Sequence, residues 1–190
     1  MMDQPYYSDD AVTIYPEGTA VVSADGRFRY LLTRAWTNPA EPGLFDGPGE
    51  IRRMLFVMVN PSTADGDVDD PTIRRCKGYA KCEGFNRLEV VNLFAYRATN
   101  PDDLLKVDDP VGVENEMYVR HAIEDADMVV CAWGAAYARL HARLFRVEQR
   151  LPIEMMVRST GKTPYCLGFT KGGDPRHPLM TKLDALLVEL

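Results

Sequence analysis

Met54-Leu55-Phe56-Val57-Met58-Val59-Asn60-Pro61-Ser62-Thr63-Ala64-Asp65 is an apolar, uncharged run that stops at Asn-Pro and then turns polar and acidic. A strand exposed on one face would alternate apolar and polar residues, so a continuous run of this kind predicts a strand covered on both faces. Pro61 ends it, because proline cannot donate to a sheet ladder and biases Asn60 toward an extended conformation. Asn60 therefore stands at the strand's carboxyl end, the edge at which open α/β sheets take up ligands.

Downstream, Asp70-Pro71 reads as a helix start, since Asp caps free amides and proline fits the first helical position. That helix should carry Ile73, Cys76 and Ala80 and stop near Gly84. Leu88 to Phe94 repeats the plan of the first strand, with Asn92 near its end, and a polar loop follows from Ala95 to Pro101. Asp109-Pro110 predicts a second helix from about Val111 to Asp125. Met128 to Gly134 is a third buried strand closing on Trp133-Gly134. Leu140, Leu144, Val147 and Leu151 then mark one helical face, with Arg139, Arg143, Arg146 and Arg150 on a neighbouring face that reads as solvated. Thr163 to Phe169 is the fourth strand, Thr170 to Pro178 a rigid polar loop, and Leu179 to Val188 a final helix with Leu183, Leu186 and Leu187 as its buried side.

Upstream, Ala20 to Ser23 and Arg27 to Thr33, joined by Ala24-Asp25-Gly26, predict an edge hairpin. Thr37 to Gly49 is rich in Pro and Gly and reads as a surface loop. Alternating strands and helices give an α/β fold, a three-layer α/β/α sandwich with a mainly parallel central sheet plus an N-terminal β-hairpin. The expected organisation is a tail over residues 1–19 and one domain over 20–190.

The 190 residues, 46% hydrophobic and 26% charged, suit one soluble core. No apolar stretch is long enough for a membrane span, and the N-terminus lacks signal-peptide regions, so the expectation is a cytoplasmic protein with no membrane partner. A net charge of -6 argues against a broad basic surface for duplex DNA but permits a local cationic cleft. Cys76, Cys82, Cys131 and Cys166 form no C-x-x-C pair and read as reduced thiols. Asp65, Asp67 and Asp69 alternate as in a calcium loop, yet Gly66 is misplaced and Cys76 stands where the bidentate Glu belongs, so a capped acidic turn is expected over a metal site, magnesium held loosely beside a phosphate ligand being the alternative. No cofactor is expected.

Parallel strands aim their carboxyl ends at one edge, where Asn60, Asn92, Trp133, Gly134 and the Lys171 to His177 loop should meet. Pro61 and Ser62 beside Asn60, and Arg176 beside His177, join these candidate ligand contacts. Amides can read a planar heterocycle's edge while an aromatic ring stacks on its face, so a nucleobase, a nucleotide or a nucleic acid is the expected partner. Each residue has a plainer reading too: an Asx turn at Asn60, backbone satisfaction by Asn92, core packing by Trp133 and a loop position for His177.

Asn60 to Asp65, Asp69 to Cys76, Val91 to Ala95, Ala132 to Gly134, and Gly168 to Lys171 with Pro175 to Pro178 together resemble a bacterial and phage domain family of unknown function, number 1643. More distantly, the order strand-Asn-Pro, strand-Asn, strand-Gly and His-Pro is similar to the uracil-DNA glycosylase superfamily. That resemblance implies an α/β/α fold and hydrolysis of an N-glycosidic bond. Asn60 would hold the attacking water, Asn92 would read the base, and His177 would stabilise charge on the departing base. The alternative is a non-catalytic nucleotide-binding or nucleic-acid-binding module in the same cleft. Met58 stands where the superfamily usually has Gly, and Leu179 where it usually has Ser.

Overall fold

The computed structural model describes residues 12–15, 18–36, 51–62, 69–137, 140 and 153–190. The expected loop over Thr37 to Gly49, the acidic residues Asp65 and Asp67, and the arginine face from Arg139 to Arg150 lie outside them. Eight strands form one sheet in the order β1-β2-β3-β5-β4-β6-β7-β8. They are β1 (Val12–Tyr15), β2 (Gly18–Val22), β3 (Arg29–Ala35), β4 (Arg53–Met58), β5 (Arg87–Asn92), β6 (Met128–Cys131), β7 (Pro164–Cys166) and β8 (Val188–Glu189). Three α-helices lie wholly among the described residues: α1 (Pro71–Cys82), α2 (Asn115–Asp125) and α3 (Ile153–Ser159).

The sheet is mixed rather than mainly parallel. Neighbours within β5-β4-β6-β7 are parallel, whereas β1-β2, β2-β3, β3-β5 and β7-β8 are antiparallel. The hairpin explains the difference at one flank, because β3 leaves it running opposite to β5. β1 and the start of β2 also form within the segment read as an N-terminal tail.

The opening stretch sits at the centre of the sheet. β4 pairs with β5 on one side and β6 on the other, and Met54 to Val57 are fully buried. Side chains alternate across it. Met54, Phe56 and Met58 pack with Ile73, Cys76, Tyr79 and Ala80 of α1, while Leu55, Val57 and Val59 pack with Val119 and Ile123 of α2 and with Met156 and Val157 of α3. Two apolar layers on opposite faces explain the absence of polar alternation, and each buried large side chain contributes roughly 1.5–3 kcal/mol. Leu140, the described member of the predicted apolar helix face, is fully buried.

The first helix starts as its cap predicts: Asp70 Oδ1 accepts from the Ile73 amide at 2.8 Å and Pro71 opens the helix. The second starts later than expected. Asp109 Oδ1 accepts from the amides of Val111 and Gly112, closing a turn, and Gly112 has φ +83°, so helical backbone begins at Asn115.

No helix forms from Leu179 to Val188. A short 3-10 turn, Pro178–Met180, is followed by irregular chain lying across α1, where the Tyr79 hydroxyl bonds Thr181 Oγ1 at 2.7 Å and the Lys182 carbonyl. Gly78 faces this segment, and a Cβ there would stand 2.8 Å from Leu183 Cδ1, so the leucine side chain rests against the glycine. The chain end then covers the edge of β7, Val188 pairing with Cys166 and the Leu190 amide bonding the Pro164 carbonyl at 3.0 Å. Leu186, read as part of a buried helix face, is 82% exposed. Among the described residues, no helix is long and apolar enough to cross a membrane.

Candidate functional site

A cavity of about 570 Å³ opens at the carboxyl edge of the parallel strands. Beyond the strand ends the two chains stay tied by backbone hydrogen bonds, from the Leu93 amide to the Met58 carbonyl, Phe94 to Val59 and Ala98 to Pro61. Asn60, Ser62, Trp133, Gly134 and His177 all line the cavity.

Asn60 is held firmly. Its Nδ2 donates to the carbonyls of Ala98, at 2.7 Å, and Pro61, at 3.1 Å, so both amide hydrogens are committed to backbone. What this side chain offers a ligand is therefore an acceptor, Oδ1. Ser62 donates to Asp70 Oδ2 at 3.2 Å, and Asp70 caps α1 through its other oxygen.

His177 opens the 3-10 turn, and its Nδ1 accepts from the Leu179 amide at a long 3.4 Å. A neutral ring accepting at Nδ1 carries its proton on Nε2, which leaves a donor to face a ligand. Burial lowers the pKa of His177, and the Asp70 carboxylate opposes that shift. The ring is therefore neutral at pH 7.

Gly134 sets its position. This residue has φ +73°, a Cβ there would lie 3.1 Å from His177 Cβ, and its amide donates to the Pro175 carbonyl at 2.8 Å. A glycine is thus required for both conformation and approach. Trp133 is only 5% exposed and contacts Tyr137 with ring centroids 5.3 Å apart, so core packing accounts for much of its surface.

Four expected contacts do not line the cavity. Pro61 is buried. Lys171 is exposed in the turn of a small hairpin closed by the Phe169–Pro175 bridge. Arg176 is exposed and spends Nε on the Phe169 carbonyl at 2.7 Å. Asn92 is 0% exposed, and neither Nδ2 nor Oδ1 has a partner among the described residues, while its backbone carbonyl accepts from Asn115 Nδ2 at 3.0 Å. Asn92 is paired in register with Met58, which does line the cavity.

Arg29, Asp70, Thr72 and Thr99 line the cavity and were not expected there. Asp70 was legible as a cap but not as a wall. Arg29 opens β3, and because β3 runs antiparallel to β5, its first residue reaches the edge where the parallel strands end. A search confined to carboxyl ends of parallel strands passes over it; the Asp-Gly turn before it was the available signal.

The described wall residues thus include an acceptor at Asn60, a neutral donor at His177, hydroxyls at Ser62, Thr72 and Thr99, one carboxylate and one guanidinium. No curated protein and no solved structure matches this chain. A family model does, over residues 29–179, and by that match the chain belongs to the family described as proteins of unknown function, DUF1643.

Proposed function

We propose that the protein binds a nucleobase-bearing ligand in this cavity and hydrolyses its N-glycosidic bond. The observation that carries the reading is the pairing of a fixed acceptor, Asn60 Oδ1, with a neutral donor, His177 Nε2–H, on the walls of one cavity. The uracil-DNA-glycosylase-like order of the strand-end residues supports the same reading.

Asn60 would accept a hydrogen bond from water and hold it on one side of the sugar. The water oxygen bonds to the anomeric carbon as the carbon–nitrogen bond breaks, and the water's proton passes to the departing base. Asn60 is no general base, so the sugar carries oxocarbenium character and the barrier falls by stabilising charge on the base, the task of His177. A neutral imidazole does this by donating its Nε2–H hydrogen bond while keeping the proton.

The test is incubation with single- and double-stranded oligonucleotides and with free nucleotides carrying normal, deaminated and hypermodified bases, reading released base by mass spectrometry. Asn60→Ala and His177→Ala are each expected to lower release about 10²–10³-fold while the thermal transition persists. Unchanged release in both folded variants overturns the mechanism.

A second reading is favoured by Asp70. It is the one carboxylate among the described wall residues, and both of its oxygens already accept hydrogen bonds. With no uncommitted base on the described walls, binding without turnover also fits. Nucleotide binding with no base released would select it.

A further inference from the structure

Arg29 combines three properties. It lines the cavity, it is only 8% exposed, and among the described wall residues it is the one side chain cationic at neutral pH. Its placement comes from an irregularity in the hairpin. Val21 pairs with Leu31 but Val22 pairs with Arg29, so Tyr30 is an extra residue on β3.

Tyr30 packs with Val21, Ala95 and Tyr118 on the α2 side, and Leu31 joins it there. Val22, paired with Arg29, packs instead with the α1-side cluster. The bulge thus turns Arg29 to the face from which Met58 and Ile73 also line the cavity. Bulges beside binding sites re-aim side chains in this way.

The walls also follow the sheet order. Arg29 belongs to β3, Thr99 follows β5, Asn60 follows β4, Trp133 follows β6 and His177 follows β7. Four strand spacings of about 4.8 Å separate the first from the last, roughly 19 Å along the edge. A base held between Asn60 and His177 leaves the Arg29 end to another part of the ligand. A desolvated guanidinium bordering a cavity is suited to a planar, bidentate contact with phosphate.

We propose that Arg29 anchors a phosphate group, which makes the ligand a phosphorylated nucleotide rather than a free base or nucleoside. The inference rests on the nucleobase reading of the cavity, and it fails separately from it. Calorimetric titration of the full chain should compare nucleoside 5′-monophosphates, the matching nucleosides, and ribose 5-phosphate.

The expected result is at least one monophosphate bound about tenfold or more tightly than its nucleoside. Arg29→Met should bring that ratio to about one, while Arg29→Lys, which keeps the charge but not the fork, should keep part of it. Nucleosides and monophosphates binding equally to the unaltered protein overturn the phosphate contact and leave the nucleobase reading standing. So does a ratio unchanged in an Arg29→Met protein that melts like the parent. Ribose 5-phosphate bound in an Arg29-dependent way, with nucleosides inert, supports the anion site and removes the nucleobase reading. Failure of every probe to bind overturns both. Where Arg29→Met does not fold, the parent protein's ratio and the Arg29→Lys variant decide.

Discussion

Asp70 has two duties at the residue scale, and they can be separated. Its side chain caps α1, a contact worth about 1 kcal/mol, and its charge raises the His177 pKa against the lowering caused by burial. Asp70→Asn keeps an oxygen for the Ile73 amide but removes the charge. The imidazole of that variant should titrate at a lower pH than in the parent, read by NMR of the ring nitrogens, with the thermal midpoint little changed. An imidazole pKa that rises or stays put would show that Asp70 does not act on His177. The sign for folding follows from the same shift. A histidine whose folded pKa lies below its unfolded value contributes stability that is present above the unfolded value and lost as the pH falls toward the folded one.

At the scale of elements, β5 couples a charge to its neighbours. Glu89 is buried between β3 and β4, with Arg87 Nε at 2.8 Å and Arg53 Nε at 3.8 Å. Burial raises its carboxyl pKa, and the two arginines only partly offset this. The folded state therefore holds the proton more tightly than the unfolded chain. The resulting stability is present below the unfolded carboxyl pKa and is lost as pH rises through the folded one. Glu89→Gln removes that titration and keeps an oxygen for Arg87. Urea unfolding at about pH 4 and pH 7 should show the variant gaining on the parent as pH rises. A variant that falls behind instead would mean the ion pairs outweigh desolvation.

The same scale explains what the sequence made legible. Elements with a local cause were readable: the buried strand at Met54 to Met58, the Asp70 cap, the Asp25-Gly26 turn. Elements decided by distant contacts were not. The final segment has helical spacing at Leu183, Leu186 and Leu187, yet Tyr79, Gly78 and the open edge of β7 draw it into extended chain. The site divided likewise. Asn60 and His177 follow from strand ends, but Arg29 depends on the antiparallel direction of β3 and on a bulge, neither of which leaves a mark in composition.

For the whole molecule, the cavity is built on the sheet's most protected strand and closed by loops from less protected ones. β4 has a parallel neighbour on each side and apolar layers on both faces, whereas β8 is short, exposed and paired on one side only. Opening free energies should differ accordingly, because local opening follows contact density and exposure. Hydrogen exchange is expected to be slowest at Leu55 to Val57 and Val90 to Val91 and faster by orders of magnitude at Leu190, whose amide bonds Pro164. Deleting residues 188–190 leaves β7 as an edge strand. Exchange in β7 should then accelerate while β4 and β5 keep their rates, and the global unfolding midpoint should move little. Equal acceleration in β4 would instead show that the sheet opens as one unit. In that case the loops bearing Asn60 and His177 would share a single opening transition, and a ligand between them would slow exchange across the whole sheet rather than at the His177 loop alone.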